Sequence, residues 1–187
     1  MNPPIIVTGC QRSGTTITTH ILAQELGCTV IDEFHFRPET NGFLKLNDMI
    51  NNGITNFIVL CHDAVYMPIQ IFHRCPDLHW VGVTRKRDDI IKSMERVHWC
   101  QDDFINWKEF IHDHVNHMRQ LWGVTKSILP DSAWTELKYE SLKEHPLFIP
   151  KNQRENFTVK QWKLNEPCGM QYWDNNLDCY MEKMRNV

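Results

Sequence analysis

The segment that most limits how this chain can fold runs from residue 5 to residue 16. Ile5-Ile6-Val7-Thr8 is a short apolar, β-branched run of the kind that forms a buried strand. It meets Gly9-Cys10-Gln11-Arg12-Ser13-Gly14-Thr15-Thr16, and a helical stretch follows to about Leu26, where Gly27 suits a C-terminal cap. A glycine-bounded loop between a strand and a helix N-terminus turns backbone N–H groups toward an anion, and the helix dipole adds to the attraction. The spacing Gly-x4-Gly-x-Thr is that of a Walker A loop with one change. Position 15, where a lysine would reach the β- and γ-phosphates of a nucleoside triphosphate, is Thr15. The cation of this loop is Arg12, three residues earlier. The segment predicts a strand–loop–helix unit that holds a phosphate-like anion without a Walker lysine.

The rest of the chain continues the alternation. Strands are predicted over 28–31, 57–61, 79–84 and 134–139, helices over 88–97 and 104–128, and a terminal helix over 172–185. Within 104–128, Phe104, Trp107, Ile111, Val115, Met118 and Trp122 form one apolar stripe at 3–4 spacing. Asp88 and Asp89 stand in the first turn of the preceding helix, where carboxylates suit the dipole. Alternating β and α elements predict a parallel sheet, because parallel strands need crossovers. The expected fold class is therefore α/β: a single domain over 1–187 with a mostly parallel, roughly five-stranded sheet flanked by helices.

Composition narrows the function classes. Twenty Lys+Arg against 23 Asp+Glu give a net charge of −3, so no global basic field exists for nucleic acid. No uncharged apolar run approaches the ~18 residues of a membrane span. Met1-Asn2-Pro3-Pro4 lacks the basic start of a signal peptide. The seven cysteines are odd in number and include no Cys-x-x-Cys pair, so they read as reduced thiols, not a disulfide framework or zinc site. The expectation is a cytoplasmic protein with neither nucleic acid nor a membrane as partner.

A second constellation lies further along. The 79–84 strand ends at Arg85, and Ser93 follows eight residues later, inside the next helix. An arginine at the carboxyl end of a strand stands where ligands of open α/β sheets bind, and an arginine fork with a hydroxyl can share one phosphate. Taken alone, the pair reads equally as a solvated charge and a neutral mid-helix serine.

Gln11-Arg12-Ser13-Gly14-Thr15-Thr16 resembles the 5′-phosphosulfate loop of sulfotransferases that use 3′-phosphoadenosine 5′-phosphosulfate (PAPS), in which Lys or Arg precedes Ser-Gly-Thr-Thr. Arg85 to Ser93 matches the spacing of that family's 3′-phosphate segment, Arg-x-Pro-x-Asp with a later serine. Asp89 is present, and Arg87 replaces the proline. Cys75-Pro76-Asp77-Leu78-His79-Trp80 resembles the family's lead-in to this strand. Leu137-Lys138-Tyr139-Glu140-Ser141-Leu142 resembles its strand ending in Tyr-Glu-Asp-Leu. The four segments keep the family's order across residues 5–146.

The resemblance implies a P-loop-like sulfotransferase fold and transfer of a sulfuryl group from PAPS, with no metal required, to a hydroxyl or amine on a small molecule, carbohydrate or peptide. It implies that Arg12 stabilises charge on the sulfuryl and the bridging oxygen. Ser13, Gly14, Thr15 and Thr16 would hold the 5′-phosphate, Arg85 and Ser93 the 3′-phosphate, and Tyr139 would belong to the same nucleotide site. Arg154, in Lys151-Asn152-Gln153-Arg154-Glu155-Asn156, stands where the family carries an Arg-Lys-Gly loop. That tripeptide is missing, so Arg154 is either a further 3′-phosphate contact or an ordinary surface charge. The chain is also short for the family, so acceptor specificity does not carry over.

Two residues compete for general base. Glu33 follows the second strand, where tyrosylprotein and several bacterial-type sulfotransferases carry a catalytic Glu. His62 follows the third strand and resembles the Thr-His segment of the cytosolic small-molecule enzymes. The arginine-type loop favours Glu33. Rival readings are a P-loop kinase with Asp63 as a Walker-B-like magnesium ligand, which Thr15 opposes, and a nucleotide-binding module without turnover. His114 and His117 share a helix face from which His112 points away. Without cysteine or carboxylate partners they read as a polar flank of the apolar stripe, not a metal site. Trp99, Trp107, Trp122 and Trp134 are expected in the core, one or two of them near the acceptor cleft. Cys10, although a helix N-terminus can lower a thiol pKa, is expected to pack beneath the loop and not to act as a nucleophile.

Overall fold

Successive side chains of a strand point to opposite faces, and here both sets are apolar, so the sheet must be covered on both sides. The computed structural model describes residues 4–31, 42–101, 104–146 and 148. Strands β1 (Ile5–Thr8), β2 (Thr29–Ile31), β3 (Phe57–Leu60), β4 (His79–Thr84) and β5 (Trp134–Lys138) form one five-stranded sheet in the order β2-β3-β1-β4-β5. Every neighbouring pair is parallel, with Ile6 opposite Val59 on one side and Trp80 on the other.

The alternation sorts the core into two layers. Ile5, Val7, Val30, Ile58, Val81 and Val83 pack together with Ala23 of α1 (Thr15–Leu26). Ile6, Ile31, Phe57, Val59 and Trp80 pack with residues of α2 (Gly42–Asn51), α3 (Pro68–Arg74), α4 (Arg87–Arg96) and α5 (Trp107–Ile128). A short α6 (Tyr139–Leu142) lies against α1, where Tyr139 and Leu142 join Ile17 and Ile21. Helix α1 carries buried Thr18 and Thr19, whose hydroxyls donate to the carbonyls of Gly14 and Thr15 one turn back, both at 2.9 Å. That is how polar side chains are accommodated under the sheet without orphaned groups. The Trp122 ring of α5 lies on Gly82 of β4, in the space a Cβ would take.

The single α/β domain with a parallel sheet flanked by helices is therefore the fold read from the alternation. The differences are local. β2 begins at Thr29 and β3 ends at Leu60, one residue inside each expectation. Helix α4 spans Arg87–Arg96, one residue earlier at each end than expected. Helix α5 begins at Trp107, not Phe104. Phe104 precedes the helix, is 42% exposed, and stacks on Phe110 with ring centroids 3.9 Å apart, so the apolar spacing begins before the first helical turn. β5 stops at Lys138, and Tyr139 opens α6. The sequence reading did not anticipate α2, α3 or the 3-10 turn His62–Tyr66. The helix expected over 172–185 lies outside the described residues. Among the described residues no helix is long and apolar enough to cross a membrane.

The strand order also fixes where a ligand can sit. The chain leaves central β1 toward the β2 edge and later returns on the opposite side of β1 as β4. Connections diverging from the carboxyl ends of adjacent strands open a crevice there.

Candidate functional site

The loop after β1 is held from below. The Thr8 hydroxyl donates to the His62 carbonyl at 3.2 Å, and the Cys61 N–H to the Val7 carbonyl at 3.0 Å, tying the ends of β1 and β3 together. His62 is buried and spans the loop. Its Nδ1 is 2.7 Å from the Gly9 carbonyl and its Nε2 is 3.4 Å from Thr15 Oγ1. A carbonyl only accepts, so Nδ1 carries a proton, and in the neutral ring Nε2 is left to accept from the Thr15 hydroxyl. The Ser13 N–H turns back to the Cys10 carbonyl at 3.0 Å. Gly14 has φ 104°, and the Tyr139 ring occupies the space of a Cβ there, so no other residue fits. Arg12 is also left-handed, at φ 67°, a conformation costing an L-residue roughly 1–2 kcal/mol. The turn therefore presents the Arg12 side chain outward at an energetic cost, as strained residues at functional sites do.

Helix α1 begins with Gly14 as its cap, with no side-chain cap and no acid in its first turn. Its first N–H groups have no partner within the helix and suit an anion. Above them lies a cleft of about 920 Å³. Among the described residues five cations line it, Arg12, Arg85, Lys92, Arg96 and Lys143, against one carboxylate, Asp89, in a chain whose net charge is −3. The Arg12 Nε donates to Ser93 Oγ at 3.3 Å, and an Arg96 guanidinium N–H approaches the same oxygen at 3.4 Å. Arg85 donates from Nη1 to the Arg12 carbonyl at 3.1 Å and lays its guanidinium 4.4 Å from the Tyr139 ring centroid. Its Nε is buried with no hydrogen-bond partner among the described residues. A buried, charged donor left in this condition fits an anion that supplies the acceptor.

Of the residues read from the sequence, Arg12, Gly14, Thr15, Thr16, His62, Arg85, Ser93 and Tyr139 all line this one cleft. Ser13 does not: its side chain is fully buried under the loop, and its N–H is taken by Cys10. Thr15 is buried as well, with its hydroxyl turned to His62, so it offers the cleft mainly its backbone. Glu33 and Arg154 lie outside the described residues. Asp63, the magnesium ligand of the kinase reading, is exposed in the 3-10 turn after β3. Cys10 packs beneath the loop, where burial pushes its thiol up to about 12 against the opposing pull of Arg119. Arg87, which replaces the family's proline, is the first residue of α4, a position proline also favours. Here it ties α4 to α5 by donating to Asn116 Oδ1 at 2.7 Å. The Lys86 N–H just before it donates to Glu140 Oε1 at 3.1 Å.

Trp99, one of the tryptophans of which one or two were expected near the cleft, lines it, and Gln11, Lys92, Arg96, Lys143 and Phe148 line it without having been singled out by residue type and spacing. Arg96 was within reach of the sequence, because it sits three residues beyond Ser93 on the same helix face. The others come together only through tertiary packing. Among the described residues no group of three or more His, Cys, Asp or Glu could hold a metal ion. His114 faces Gln11 and Trp99, and His117 faces Tyr66.

No protein-family model matches the chain, and no curated protein matches it. Solved structures do. A sulfotransferase from Alicyclobacillus acidocaldarius aligns over 94% of this chain and 100% of its own, with a TM-score of 0.57 and 12% identity. Shikimate kinase from Acinetobacter baumannii, in complex with shikimate, aligns over 87% of this chain and 92% of its own, at TM-score 0.46 and 12% identity. A putative kinase from Chloroflexus aurantiacus aligns over 88% and 98%, at 0.46 and 9% identity. The first of these likenesses shows the fold: a P-loop-like α/β domain of the kind that sulfotransferase has.

Proposed function

We propose that this protein is a sulfotransferase that moves a sulfuryl group from PAPS to a hydroxyl or amine acceptor. The observation that carries this reading is the convergence of Arg12, Ser93 and Arg85 on one cleft above an uncapped helix N-terminus, with Thr15 where a Walker lysine would be. On this reading the cleft has two anion subsites. The first is the loop with the N–H groups of α1, which takes the 5′-phosphosulfate end. The second is Arg85 with Ser93, which takes a 3′-phosphate. The unpartnered Arg85 Nε and the open first turn of α1 fit such a donor.

When bound, the donor supplies a sulfuryl group on a phosphosulfate anhydride, an anionic group whose transfer calls for positioning and charge neutralisation by analogy with phosphoryl transfer. Arg12 neutralises charge at the sulfuryl end and is aimed by its strained backbone and by Ser93. Lys92, Arg96 and Lys143 raise the positive potential of the cleft, where the walls screen charge less than water does. Tyr139 packs on Gly14 with one face and meets Arg85 through its ring, coupling the two subsites.

The proposed general base is Glu33, with His62 as its competitor. Both ring nitrogens of His62 engage the loop, so this residue braces the anion site whatever else it does. The two assignments separate in single-turnover assays at saturating PAPS. Glu33→Gln is expected to lower turnover by roughly 10²–10⁴-fold with little change in donor affinity. His62→Asn is expected to weaken donor binding as well. Normal turnover in Glu33→Gln with collapse in His62→Asn would reverse the assignment, and no transfer from PAPS to any acceptor by the wild type would end the sulfotransferase reading.

A further inference from the structure

The anion loop has one more contact that neither the motif nor the two phosphate subsites use. Gln11 Oε1 lies 2.7 Å from His114 Nε2, across 103 residues of sequence, and Gln11 lines the cleft beside Arg12. His114 comes from the middle of α5, a helix that otherwise packs on the sheet. Its ring packs against Trp99, at 4.7 Å between centroids, and Phe110, at 5.9 Å, which stack on each other at 6.0 Å. The three rings form one cluster, which restrains the imidazole on the side away from Gln11. An amide oxygen only accepts, so the proton of this contact sits on His114 Nε2. Burial, with the charge of His117 and His62 and against that of Asp63, holds His114 below its ordinary range and keeps the ring neutral at physiological pH. With Oε1 committed to His114, the carboxamide N–H groups are what Gln11 has left to offer the cleft.

We propose that His114 is a positioning residue for the anion loop, clamping Gln11 so that its side-chain N–H groups serve as a donor to the anion beside Arg12. The inference rests on the loop being the anion-binding end of the proposed donor site, and it does not depend on which anion binds there. It gives the loop an uncharged donor adjacent in sequence to its cation. It also makes α5, through one hydrogen bond, part of the machinery that shapes the site.

The test is a double-mutant cycle on the full chain, read by NMR titration with inorganic sulfate and by calorimetry with adenosine 3′,5′-bisphosphate. His114→Phe keeps a ring against Trp99 and Phe110 and removes the N–H, while His114→Gln returns a donor. Gln11→Ala and His114→Phe are each expected to weaken sulfate binding about three- to tenfold, the effect of one uncharged hydrogen-bond donor. His114→Gln is expected to recover most of that loss. In the Gln11→Ala background, His114→Phe should add nothing, because both act through the same contact. Additive losses, or wild-type sulfate affinity in His114→Phe, overturn the proposal. Should His114→Phe fail to fold, the side-chain amide resonances of Gln11 in the wild type decide the matter: they shift on adding sulfate if the proposal holds and stay in place if it does not. A wild type that passes the sulfate cycle without preferring the bisphosphate supports this inference and removes the PAPS reading. A wild type that binds neither overturns both.

Discussion

Arg85 joins several parts of the site. It reaches the Arg12 carbonyl, stacks on Tyr139, lines the cleft, and keeps a buried Nε for a ligand. Under the proposed function, removing it would delete a charge-assisted contact to a 3′-phosphate, an effect of about 1.5–3 kcal/mol or roughly ten- to hundredfold in affinity. Arg85→Ala is therefore expected to weaken adenosine 3′,5′-bisphosphate by that factor. Adenosine 5′-phosphate should suffer a clearly smaller loss, the part that comes from releasing the Arg12 carbonyl. Titration of the variant with both nucleotides measures the difference, and equal losses would place Arg85 on the 5′ side alone. The sequence already carried this residue, because strand-end position and the spacing to Ser93 are local. It did not carry the Arg12–Ser93 contact, which joins residues 81 apart and exists only once β1 and β4 are neighbours.

At the scale of elements, what could be read was whatever a short window contains. The strand–loop–helix unit was legible because its glycines, β-branched run and helix start are contiguous. Phe104 misled because a periodic stripe marks packing, not helical hydrogen bonds, and the residue packs on Phe110 from outside the helix. Helix α3 was missed although Pro68 sits in its first turn, a position proline favours. The docking of α5 on the sheet was illegible for a different reason: it depends on Gly82 leaving room for the Trp122 ring, a pairing between distant segments. Gly82→Ala is expected to force that ring away, with an overpacking cost of about 1–3 kcal/mol. Urea unfolding measures it as a lower midpoint, and an unchanged midpoint would mean that α5 docks without this contact.

Across the whole molecule, partial burial disfavours the charged form of several histidines. Burial brings His20 down to about 3, and burial also lowers His79 and His114. His20 is therefore not protonated in the folded chain until far below the pH at which the unfolded chain takes up its proton. Below the ordinary value of 6.5 the unfolded state therefore binds more protons, and stability falls as pH falls. For His20 the loss at pH 5 is about 2 kcal/mol. Denaturant unfolding at pH 7.5 and pH 5 should show it, and His20→Gln should flatten the difference. An equal difference in wild type and variant would contradict the burial of a neutral His20.

The most direct test concerns the cleft itself. The proposed site for a nucleotide carrying phosphates at both ends rests on its five cations among the described residues, its uncapped helix and its loop without a Walker lysine. The deciding measurement is calorimetric titration of the wild type with adenosine 3′,5′-bisphosphate in the presence of a chelator, set beside ATP with magnesium. The account predicts saturable binding of the bisphosphate under chelation, weakening as salt is raised because charges lining an open cleft are screened. Binding of ATP that requires magnesium, with no binding of the bisphosphate, would contradict it.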